Sequence, residues 1–230
     1  METSPYNRHP LGPVVVSCVA VALMTLAALF VVNAIEYTHR SIGMSRGALF
    51  ALLFGSLLGG MVNIPVARVR GRPALGVGVI VAFGVRYRVP VVQRAADTIV
   101  AVNLGGAVIP TGLSLFLVVK GGLWGEAALA TTVVAGAVFL MARPVPGLGI
   151  ATPALAPPLL AAAAALVIAP DTAAAVAYVS GSLGTLIGAD LLNLGRIGTL
   201  GAGVASIGGA GTFDGIVLSG IIAVRLVGLA

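Results

Sequence analysis

The chain has 230 residues, of which 59% are hydrophobic and 9% charged, with a mean hydropathy of +1.11 and a formal net charge of +6. So little charge excludes a water-soluble domain of this length and predicts an all-α integral membrane protein. The lone Cys18 excludes an internal disulfide or a cysteine metal cage, and two histidines, His9 and His39, leave no material for a Ser-His-Asp triad.

A membrane-spanning helix needs roughly 20 mostly apolar residues, and about seven segments approach that length. The first, Pro13 to Ile35, is too long for a signal-peptide core and is read as a retained helix. Glu36 to Arg46 is a short polar connection. The second span, Gly47 to Pro65, carries small residues that favour close helix approach, and Asn63 suits a helix C-terminal cap. Between Ile64 and Ala96 the run GVGVIVAFGV is too short to span, and the alternating RYRVPVV after it suits a strand. A small basic β-hairpin on the cytoplasmic face is expected there. A re-entrant segment is the alternative.

The third span, Thr98 to Val119, opens with VNLGGAVIPTG, where Gly105, Gly106 and Pro110 should bend or unwind the helix. The fourth is Glu126 to Arg143, and the fifth, Ala154 to Ala169, follows a proline-rich, irregular connection. Asp171 sits in a tight turn. The sixth and seventh spans run from Thr172 to Leu192 and from Phe213 to Ala230, with a glycine-rich, nearly uncharged stretch between them, read as a loop that dips back toward the membrane.

Arginines at positions 8, 68, 70, 72, 86, 88, 94, 143 and 196 fall on one side of this arrangement, with Arg40, Arg46 and Lys120 on the other. The excess predicts a cytoplasmic N-terminus and an external C-terminus in a cell (inner or plasma) membrane. Basic residues that flank spans match anionic lipid heads, so membrane lipids are the expected partners and nucleic acid is not. Neither a cofactor nor a metal is called for. The oligomeric state stays open.

Asp190 and Asp214 are the acids set deepest in apolar sequence, and an ionisable group inside a membrane usually marks a working site. On the predicted topology both lie in the cytoplasmic third, level with Asn63, Asn103, Thr152 and Asn193, while Pro153 and Thr212 adjoin that layer. Asp190 and Asn193 share a helix face at i and i+3, and Gly181, Gly184 and Gly188 form a stripe on the opposite side. Matching VNLGGAVIPTG to ASIGGAGTFDG aligns Asn103 with Ser206 and suggests a parallel internal repeat, residues 47–119 and 172–230 of a single polytopic domain.

Three kinds of work suit this layer. Two carboxyls sharing a proton can perform aspartyl chemistry on a transmembrane peptide. The same oxygens can carry a proton or bind a small hard cation in a transporter or channel. An assembly role, with the acids pairing to a partner's basic residues, is the third.

The placement of the acids resembles that in the presenilin and signal peptide peptidase intramembrane aspartyl proteases, which would make Asp190 and Asp214 catalytic. Gly209, Gly211 and Asp214 give G-x-G-x-x-D, two residues longer than that group's GxGD. Ala189 stands where the group has Tyr, and the Pro-Ala-Leu element at 153–155 precedes the acids instead of following them. Over most of residues 50 to 225, AVNLGGAVIP, AYVSGSLGTLIGADLLNLG and ASIGGAGTFDGI resemble the prokaryotic membrane family known as domain of unknown function sixteen-fourteen. That resemblance implies a multi-pass membrane protein of bacteria or archaea and no particular activity.

Overall fold

The computed structural model describes residues 41–70, 73–82, 85–94, 97–145, 149–199, 203–209 and 212–230. The expected first span lies outside the described residues. Helix α1 (Arg46–Gly59) starts at Ser45, whose hydroxyl oxygen accepts from the Ala48 N–H at 3.2 Å as an N-cap. Helix α2 (Ile109–Gly121) carries Pro110 near its start, and α3 (Trp124–Met141) follows after two residues. Helix α4 (Ala156–Ile168) likewise opens with Pro157 and Pro158, a 3₁₀ turn follows at Pro170–Thr172, and α5 (Ala173–Thr185) and α6 (Thr212–Val227) complete the bundle.

Helix α5 is its centre. Eleven of its thirteen residues are buried, and it packs against α2, α3, α4 and α6. Small residues make this possible: Gly184 abuts Val134 of α3, and Gly181 abuts the backbone at Ser219 and Gly220 of α6. The expected stripe through Gly181, Gly184 and Gly188 is therefore a packing surface. The outer faces remain apolar, with Phe54, Leu129, Val133 and Leu140 exposed. Contiguous apolar surface of this kind is unfavourable in water and favourable in lipid. Among the described residues, three helical stretches, Leu104–Gly121, Trp124–Met141 and Pro170–Arg196, are long and apolar enough to cross a membrane, while Arg46–Gly59, Ala156–Ile168 and Ile216–Val227 are shorter apolar helices.

Strands gather at one end of the bundle. β1 (Asn63–Val69), β2 (Pro73–Ala82), β3 (Val85–Arg94) and β4 (Thr98–Asn103) follow α1, β5 (Arg143–Val145) and β6 (Gly149–Ala151) follow α3, and β7 (Val204–Ile207) precedes α6. β2 and β3 pair antiparallel from Pro73↔Arg94 to Ala82↔Val85, the expected hairpin between the second and third spans. The order β1-β4-β7 forms one sheet, with β4 antiparallel to β1 and parallel to β7.

Several expectations are corrected here. The chain is mostly helical but not all-α. The second span ends at Gly59, and Asn63 and Pro65 belong to β1: the β-branched run NIPVARV favours a strand, and Pro65 coincides with a register shift at a sheet edge, where its missing N–H is tolerated. Thr98–Asn103, predicted as helix, is the buried central strand β4, since four of the six residues of TIVAVN are β-branched. The connection after the fourth span is partly ordered as the β5–β6 pair. The stretch between the acids contains 3₁₀ helix at Leu191–Thr199 and then β7.

Candidate functional site

Two helices change their winding where they meet the sheet. Leu104–Val108 forms a π-helical turn ahead of α2, and Leu186–Asp190 forms another after α5. Such turns release part of the regular hydrogen-bond ladder and are frequent at functional positions. The expected break near Gly105 and Gly106 takes this form.

Asn103 closes β4 and caps the first π-turn. It is fully buried, its Oδ1 accepts from the Gly106 N–H at 2.8 Å, and its Nδ2 donates to the Gly60 carbonyl at 2.7 Å and to Asn63 Oδ1 at 3.1 Å. Asn63 faces it across the β1–β4 ladder and accepts a second hydrogen bond, from the Ser206 hydroxyl on β7. Three strands are thus tied at one level by side chains. Gly105 allows the approach, because a Cβ there would collide with the Ser56 carbonyl oxygen and the Gly60 nitrogen.

Asp190 ends the second π-turn and is buried, at 8% exposure. Burying a carboxylate is costly unless it is hydrogen-bonded, and a backbone donor offsets part of that cost here. The Gly208 N–H donates to Asp190 Oδ2 at 2.7 Å. Gly208 has φ +74°, a left-handed conformation, and a Cβ on it would lie 2.6 Å from the Gly106 carbonyl carbon. The Gly-Gly turn after β7 therefore rests on the Gly-Gly turn after β4 and reaches Asp190 from there.

Asn193, fully buried, donates its Nδ2 to the Gly188 and Ala189 carbonyls, both at 3.0 Å. Its Oδ1 is buried with no hydrogen-bond partner among the described residues. No group of three or more His, Cys, Asp or Glu comes together among the described residues, so any cation held here would rely on carboxylate, amide and backbone oxygens.

Of the expected site residues, Asn63 and Asn103 are brought together, and Asp190 and Asn193 flank one turn of helix. Asp214 and Thr212 lie in the first turn of α6, with side chains outside the described residues, as is the separation of the two aspartates. Thr152 and Pro153 line an open cleft of about 460 Å³ with Leu140, Met141 and Arg143, at the end of α3. Ser206 and Gly208 are the site residues that sequence reasoning did not single out, although the repeated GGA triplet marks both turns.

The family model described as "Protein of unknown function (DUF1614)" matches residues 57–226. The chain belongs to that family. The DUF1614 match begins within α1 and ends within α6, so it covers both π-turns, the three-stranded sheet and Asp190. No curated protein and no solved structure matches the chain.

Proposed function

We propose that this chain is a multi-pass integral membrane protein that binds a proton or a small hard cation at Asp190 and carries it through the bundle, with Asp214 as the second carboxylate. The observation that carries this reading is a buried carboxylate where the central helix changes its winding, one turn from the buried Asn193 Oδ1, which has no hydrogen-bond partner among the described residues. Ionisable groups buried inside a membrane bundle, set at an irregular helical turn, are where ion-coupled membrane proteins place their sites. On a topology of about seven spans, the concentration of arginine at the strand end, in β1, β3, Arg143 and Arg196, supports a cytoplasmic strand end, with the N-terminus inside and the C-terminus outside. The parallel β4 and β7, each leading through a Gly-Gly turn into a helix, support two related halves.

The test is flux in sealed vesicles reconstituted with the full chain under an imposed pH or alkali-cation gradient. Protein-dependent flux, lost in Asp190→Asn and reduced in Asp214→Asn, is expected. Absence of flux in the unmodified protein under every gradient sinks the proposal.

A second reading, cleavage of a transmembrane peptide by an Asp190–Asp214 pair, is favoured by β7. Among the described residues this strand pairs only with β4, and it leads directly to Gly208, so an extended peptide adding to its open edge would be delivered beside Asp190. Peptide cleavage that both Asn variants abolish would select this reading over transport.

A further inference from the structure

The cleft at the end of α3 has chemistry unlike that around Asp190. Its polar side chains are Arg143 and Thr152, and its walls include Leu140, Met141, Val145 and Pro153. None of the lining side chains is acidic. Arg196, from the 3₁₀ segment, places its guanidinium 5.4 Å from the centre of the Phe139 ring, which brings a second cation to the same helix end.

An apolar track leads away from this pair. Leu129, Val133, Gly136 and Leu140 follow one another on the outer face of α3 at helical spacing, all exposed, and Leu140 is 83% exposed. Gly136 has no atom within 4 Å of where a Cβ would sit, which leaves a shallow dip in the track. A cation, a hydroxyl donor and an exposed apolar face running along a membrane-length helix match one molecule: a phospholipid with an anionic headgroup and an extended acyl chain.

We infer that the Arg143–Thr152 cleft binds the headgroup of an anionic phospholipid, whose acyl chain lies along the Leu129–Leu140 face of α3. The last carbonyls of α3 repel a phosphate on the helix axis, so the phosphate sits to the side, on the Arg143 guanidinium fork and the Thr152 hydroxyl. The cleft shares no lining residue with the aspartate site, and the inference does not depend on what Asp190 does.

Binding of fluorescent analogues of phosphatidylglycerol and phosphatidylcholine to the full chain in mild detergent tests the inference. The phosphatidylglycerol analogue is expected to bind more tightly. Arg143→Gln should weaken it about fivefold, the share of one arginine near a headgroup, and leave the phosphatidylcholine analogue unchanged. Thr152→Val, which keeps the volume, should weaken the same analogue and controls for misfolding of the arginine variant. Equal binding of the two analogues, or phosphatidylglycerol binding that neither variant changes, overturns the inference. Displacement by millimolar inorganic phosphate would assign the cleft to free phosphate and overturn it too.

Discussion

The Gly208 N–H and the Asp190 carboxylate, eighteen residues apart, meet at 2.7 Å inside the bundle, joining the turn after β7 to the end of the central helix. This contact holds one carboxylate oxygen directly from the backbone. Gly208→Ala must adopt a left-handed conformation, at about 1–2 kcal/mol, and push its Cβ against Gly106 and Ala107. A lowered thermal midpoint in detergent is expected. A midpoint equal to that of the unmodified protein would mean that the turn is not held where Asp190 can use it.

Asn103 makes three hydrogen bonds from a fully buried position. Asn103→Leu keeps the size and leaves the Gly60 carbonyl and the Gly106 N–H without that partner, at roughly 1–3 kcal/mol for each unsatisfied group. The variant should unfold at markedly lower temperature than Ser206→Ala, which removes one bond from a half-buried hydroxyl. Equal effects would argue against Asn103 as the centre of the strand tie.

Two glycines close in sequence separate packing from propensity. Gly105→Ala collides with the backbone of α1, whereas a Cβ on Gly112, one turn into α2, meets nothing within 4 Å. Gly105→Ala should destabilise, and Gly112→Ala should stabilise by about 0.5–1 kcal/mol through helix propensity. Thermal melts of the two variants side by side check both signs.

The helices were legible because runs of apolar residues near membrane length have few other solutions. The β2–β3 hairpin was legible from a short apolar run followed by alternation, and the π-turn at 104–108 from Asn103, Gly105, Gly106 and Pro110. What misled was the assumption that apolar sequence beside a span continues the span. Thr98–Asn103 is the largely buried central strand and Val204–Ile207 pairs beside it as a partly exposed strand, and short apolar runs do not reveal by periodicity whether they are strand or helix. The link from Asn63 to both Asn103 and Ser206 depends on β1 and β7 flanking β4, a tertiary fact that no local pattern carries. Asp190 stood out as a buried acid, but its donor, Gly208, could be identified only from the parallel register of β4 and β7.

The central claim is that Asp190 takes up and releases a proton or a cation. Infrared difference spectra of the reconstituted full chain, recorded on stepping the pH between about 4 and 9 and on adding alkali cations, read carboxyl protonation directly. The expected result is a carboxyl band that changes with pH or cation, disappears in Asp190→Asn and persists in Asn103→Leu. A spectrum in which Asp190→Asn removes no titrating or cation-sensitive band, while the protein remains folded, would contradict the account.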